Sequence, residues 1–159
     1  MKHRINKSEV LSIEKLKSIY YDLLNKQQFT SDPDYSAFEK QKETLQNLAK
    51  IGRSAISVFD LFQKKHIFYS SNYMDFLGYS TAISSENEQK LLDQSIHPDD
   101  YLKLFLVGII LFKLSFELTD SEKLNYKIVN DYRIQNSSGQ FIRVLEQQQV
   151  LELDSSGNT

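Results

Sequence analysis

Three histidines and one pair of adjacent carboxylates are the residues to weigh first for chemistry. His3, His66 and His97 lie far apart in the chain, and none has a second His or a Cys at metal-ligand spacing. Asp99 and Asp100 follow Pro98 in the run HPDDYLKLF. Adjacent residues on a helix point about 100° apart, so these carboxylates do not converge as an acid/base pair must. Their place at a helix start, facing the positive end of the macrodipole, gives them a simpler role. His97, just ahead of Pro98, reads as a helix cap. His66, beside Lys64 and Lys65 on a strand-like run, reads as an exposed residue. No G-x-S-x-G, P-loop or dinucleotide fingerprint occurs, so neither catalysis nor a metal site is expected.

Composition narrows the classes further. The 159 residues include no Cys, which excludes a disulfide framework, Cys-ligated zinc, a thiol nucleophile and a cysteinyl-flavin photosensor. Cys-free composition fits a reducing cytoplasm, the expected location. The first 54 residues carry 10 Lys/Arg and 7 Asp/Glu, and the rest carry 9 and 14. Neither part has the dense basic face of a DNA-binding module. MKHRINKSEV is not a signal peptide. The most apolar run, LFLVGIILF from Leu104 to Phe112, is about half the length a bilayer demands and reads as a buried helix.

The elements that must position these residues follow from periodicity. Leu16, Ile19, Tyr20, Leu23 and Leu24 recur at helical spacing within residues 8–28. A second helix is expected from an Asp32 cap and Pro33 to about Ile51, with Gly52 as its stop. AISVFDL and KKHIFYS are short strands joined by a hairpin connection. SNYMDFLGYS turns helical and stops at Gly78, STAISSENEQ is a polar loop, and KLLDQSI is a short helix or turn. The HPDD helix reaches about Leu118, and TDSEKLN is a loop. KIVNDYRIQ and QFIRVLEQQQVLEL are two long strands joined through NSSG. The second has apolar residues on both faces, Ile142, Val144 and Val150 against Phe141, Leu145, Leu151 and Leu153, so both faces are expected to be covered. This order implies an α+β fold with an antiparallel sheet. DSSGNT then forms a strong turn signal that normally leads into another strand.

The runs AISVFD, KHIFYSSNYMDFLGYS, IHPDDYLKLF, DYRIQNSSGQFIRVLEQ and VLELDSSGN, in this order, resemble a PAS domain over about residues 55–158. The DYRIQNSSGQFIRVLEQQQVLELDSSGN segment is similar to the PAS sensor regions of bacterial LuxR-type helix-turn-helix transcription regulators. The resemblance implies a PAS-like antiparallel sheet with helices on one face, residues 54–159, preceded by an N-terminal helical arm, residues 1–53, that caps the sheet or mediates dimerisation. It also implies a fifth, central strand beside the first and the fourth. That strand is apparently missing here, so the expectation is a piece of a longer protein, whose unpaired edges rearrange, swap with a neighbour or borrow another segment.

The family has a cavity between sheet and helices. Its lining would come from Ile56, Val58, Phe68, Phe76, Phe105, Ile109, Tyr132, Ile134 and Val144, with Gln148 as a polar contact. The same large side chains equally read as core filling. Gln148 and Gln149 could meet a ligand, a second subunit or solvent. No cofactor is expected: no residue argues for haem or for a non-covalent flavin. The implied function is a non-enzymatic sensory and dimerisation domain of a transcription regulator, with a homodimer as partner, a small apolar ligand in the cavity, no membrane contact, and DNA reached only through a part beyond residue 159. The alternatives are the input domain of a signalling enzyme, such as a sensor histidine kinase or cyclic-dinucleotide enzyme, and a ligand-free protein-interaction module.

Overall fold

Two helices come first, as the spacing of their apolar residues requires. The computed structural model describes residues 7–26, 29, 33–79 and 85–157; His3, Asp32 and Asn158 lie outside the described residues. Helix α1 spans Lys7–Asn25 and α2 spans Ser36–Gly52. Pro33 is not in the first turn of α2. Asp34 accepts the Ser36 N–H at 2.9 Å and its hydroxyl at 3.1 Å, and this side-chain turn holds the chain out of the helix until Ser36. At the other end Arg53, not Gly52, takes the left-handed position with φ 48°.

Strands β1 (Ser57–Asp60) and β2 (Lys65–Tyr69) form an antiparallel hairpin with an irregularity between Val58 and Phe59. Asp60 closes its turn by accepting the N–H groups of Phe62 and Gln63. A single 3-10 turn, Asp75–Leu77, ends at Gly78 in the left-handed conformation, φ 77°. Helix α3 (Ser85–Ser95) takes in the second half of the stretch read as a polar loop, because Glu, Gln and Lys are good helix formers. Helix α4 runs from Pro98 to Glu117. TDSEKLN is likewise not a loop. Thr119 and Glu122 make a reciprocal capping box that starts α5 (Asp120–Asn125). Strands β3 (Lys127–Gln135) and β4 (Phe141–Gln149) pair antiparallel over nine residues without a bulge, and β4 stops at Gln149 rather than Leu153.

The fold is α+β, but its four strands make two separate two-stranded sheets among the described residues, not one sheet. One physical reason is visible at β3. Its outward edge is taken by the entry to α4: His97 N–H donates to Arg133 C=O at 2.9 Å, beside an Ile96–Ile134 bridge. The first hairpin therefore has no ladder to join there. Nor is β4 covered on both faces. Ile142, Val144, Glu146 and Gln148 are half-buried, while Phe141 and Leu145 are exposed, Leu145 by 77 %.

Packing gathers around three contacts. Leu77 and Ile134 are sealed at 0 % and 2 % exposure in a cluster with Met74 and Leu92, flanked by Tyr69, Tyr73, Tyr132, Ile142 and Val144. The β3–β4 turn is tied to this cluster by Ser137, whose N–H donates to Leu77 C=O and whose hydroxyl donates to Gly78 C=O. Helix α2 covers the first hairpin: buried Phe38 meets Phe68 edge-on, Tyr35 donates to Asp60 at 2.5 Å, and Gln46 accepts the Ser71 N–H. Helix α1 lies on α4, with the Tyr20 ring edge-on to Phe105 and Phe112 and directly over Gly108. A Cβ at Gly108 would stand 2.7 Å from that ring, so only glycine admits this approach. Helices α1 and α2 thus each pack on other elements of the same chain. Gly108→Val should cost about 1–3 kcal/mol by overpacking. Hydrogen exchange is the check: amides of α1 should lose protection while those of β3 and β4 keep theirs, and unchanged α1 protection would refute this docking.

Candidate functional site

The ten residues expected to line a cavity divide among several places. Tyr132, Ile134 and Val144 meet in the cluster around Leu77. Phe105 faces Tyr20 beneath α1, and Ile109 is buried on the same helix. Phe68 packs under α2, with Ile56 and Val58 half-buried on the same hairpin. Phe76 lies edge-on to Tyr73 and is 39 % exposed. Gln148 is half-buried opposite Ile128, while Gln149 is exposed. Where they converge, side chains fill the space. A shallow apolar cleft opens instead at the far end of α4, between Leu114, Leu118, Lys123, Tyr126 and Val150, and none of the ten lines it.

Polar groups do reach the inner face of the β3–β4 hairpin. Asn130 is 6 % exposed and donates to Glu146, its cross-strand neighbour, at 2.9 Å. Its carbonyl oxygen has no partner among the described residues. Burial pushes the neighbouring Tyr132 phenol well up, and the Glu146 carboxylate adds to this. Cross-strand spacing of Asn130 and Glu146 was readable from sequence only once the register was known.

The densest polar arrangement is at the start of α4. His97 caps the helix through its side chain, Nδ1 accepting the Asp99 N–H at 3.2 Å. Pro98 occupies the first turn, where its missing N–H costs nothing. Asp100 then reaches across to β3. Its oxygens accept Arg133 Nε at 2.9 Å and an Nη at 2.8 Å, and the Arg133 backbone N–H at 2.8 Å. The His97 ring stands edge-on to Phe141 at 4.6 Å and 3.4 Å from the other guanidinium nitrogen. Two residues away on the same strand face, Asp131 receives Lys103 from α4 and Arg143 from β4. The carboxylate pair therefore does more than face the helix dipole. Asp100 is a bidentate arginine receptor, and Asp99, 67 % exposed in its side chain, is the peripheral member. Arg133 was missed as a site residue. The D-Y-R alternation, which puts Asp131 and Arg133 on one strand face, was the available signal.

His66 is not exposed. Its ring is stacked on Tyr69 and edge-on to Phe59, half-buried, and desolvation lowers its affinity for a proton. Nδ1 is sealed without a partner among the described residues. No group of three metal-ligating side chains occurs among the described residues, and no helix there is long and apolar enough to cross a membrane.

No family model matches this chain, and no curated protein matches it.

The clasp has a pH signature. The hydrogen bond from the Arg133 side chain chiefly holds the Asp100 carboxyl down to about 2; partial burial opposes it, and the Arg133 N–H and charge and the His97 charge assist. A lowered folded-state value contributes stability above the ordinary 3.8 that is lost as pH falls through about 2. Asp100→Asn should therefore be less stable than the parent at pH 7, and the gap should close between pH 4 and pH 2. Urea midpoints of both proteins across that range decide it; a constant gap would mean that Asp100 acts without its charge.

Proposed function

We propose that the chain is a non-enzymatic sensory and dimerisation domain of the PAS type, belonging to a bacterial LuxR-type transcription regulator. DNA would be bound by a helix-turn-helix unit outside residues 1–159. The observation that carries this reading is that two of the motifs behind the resemblance, HPDD and DYR, meet: Asp100 accepts Arg133 Nε at 2.9 Å and an Nη at 2.8 Å.

In this reading α4 is the coupling element. Its start is clasped to β3 and its middle is covered by α1. A signal that favours one arrangement of hairpin and helix over another shifts the population, in proportion to its differential affinity for the two. That would change how α1 and the downstream unit are held.

The filled interior favours a second reading, a ligand-free interaction module in which a protein contact supplies the signal. Native beside denaturing mass spectrometry separates the two: a small molecule retained only under native conditions supports the sensor, and bare protein mass supports the module. The regulator assignment is tested by reading the gene past codon 159. A strand followed by a basic helix-turn-helix is expected; a kinase or cyclase domain would move the chain to the signalling enzymes.

A further inference from the structure

Helix α4 is apolar nearly all round, and a helix of that kind needs cover on every side. Two of its sides have it. Asp100 and Lys103 meet β3, and Phe105, Gly108 and Phe112 meet Tyr20 of α1. The third side is open. Asp99, Leu102, Leu106, Ile110, Lys113 and Glu117 are all exposed, and their spacings of 3, 4, 4, 3 and 4 residues lay them in one straight stripe along the helix. Leu102, Leu106 and Ile110, at its centre, are 37 %, 42 % and 51 % exposed. The strand that the proposed fold adds does not reach this stripe. It lies beside β4, whereas α4 is bonded to the hairpin's other edge, at β3, through His97 and Asp100.

We propose that this stripe packs antiparallel on the same stripe of a second copy of the chain, about a two-fold axis at Leu106. Charge selects both the occupant and the register. Asp99 and Lys113 stand seven residues to either side of Leu106 and carry opposite signs. The axis therefore sets each Asp99 against the other copy's Lys113, Leu102 against Ile110, and Leu106 against its counterpart. Apolar meets apolar, and each carboxylate meets an ammonium. Both charges are free to pair in this way. The Asp99 side chain is 67 % exposed and lies 3.6 Å from Arg133 and from His97, and Lys113 has no ion-pair partner among the described residues. Other arrangements of the same stripe are disfavoured. An axis at Gly108 opposes Asp99 to Glu117 and Lys103 to Lys113, both like pairs. A parallel pairing opposes Asp99 to Asp99 and Lys113 to Lys113. Two-fold pairing is also the commonest form of self-association. The inference gives a surface to the dimer of the proposed function; it rests on that dimer and on no part of the sensory reading.

Because the chain has no Cys, one introduced thiol reports the contact. Packed helices have axes about 8–10 Å apart, which brings facing Cα atoms at a two-fold axis within disulfide reach. Leu106→Cys should give a disulfide-linked dimer under mild oxidation, whereas Ile51→Cys, at an 82 % exposed position on α2, should not. Lys113→Glu sets like charges against Asp99 across the axis, so it should weaken the dimer at least about tenfold in sedimentation velocity. Adding Asp99→Lys restores opposite signs and should recover the dimer. Circular dichroism checks that both variants are folded. A dimer that ignores Lys113→Glu and cross-links equally at both cysteines would overturn this interface while leaving the dimer standing. A loss that Asp99→Lys does not reverse in a folded double variant would overturn the register. A monomer at every concentration would overturn both interface and dimer, and would leave the stripe to another protein or to a further segment of this chain.

Discussion

Asp100 sits in the first turn of α4 and meets Arg133 of β3 with both carboxylate oxygens, taking the backbone N–H of the same residue as well. Much of the remaining architecture depends on that clasp. A planar guanidinium in a fork fixes direction as well as distance, which a lysine ammonium would not. It sets α4 running back along β3, so that Lys103 arrives at Asp131. It brings His97 and Ile96 against the strand edge and closes that edge to further pairing. The opposite face of α4 is then presented to α1, where Gly108 admits the Tyr20 ring.

The two sides of the β3–β4 hairpin differ as a consequence. Its inner face is closed over Leu77 and Ile134, with Asn130 donating to Glu146 inside and its carbonyl oxygen left without a partner among the described residues. Its outer face carries the ion network of Asp131, Arg133 and Arg143 beside exposed Val129 and Leu145. Helix α4 touches the arm, the hairpin and, through Val150 and Tyr126, the cleft near its end. Any change at one of these contacts is felt at the others, because a close-packed interior transmits displacement.

Polar atoms left without a partner among the described residues concentrate around the first hairpin and its neighbours: Gln46, His66 and Asn72 all belong to the α2–β1–β2 layer. Each carries a desolvation cost. Side-chain to backbone bonds, such as Asn72 to Ser54 C=O at 3.0 Å, join the Phe38–Phe68 contact and the packing of Tyr69 on the Leu77 cluster in holding this layer. It is the part of the fold where a partner or ordered water would stabilise most.

Sequence by itself determined the α+β class, the helical periodicity of α1 and α4, the cap at His97, the stop at Gly78 and the β3–β4 hairpin with its NSSG turn. These are local: they rest on spacing, on a missing N–H or on a positive φ, all properties of a few adjacent residues. One local signal, the Thr119–Glu122 capping box, was present and went unread. Tertiary structure alone decided the rest. It turned Asp100 from a dipole-facing carboxylate into the receptor for Arg133, buried His66 between Phe59 and Tyr69, and dispersed the ten cavity candidates among separate contacts. It also left one face of β4 open, although apolar residues on both faces implied cover. An alternating strand records which residues share a face, but what lies against that face depends on elements tens of residues away.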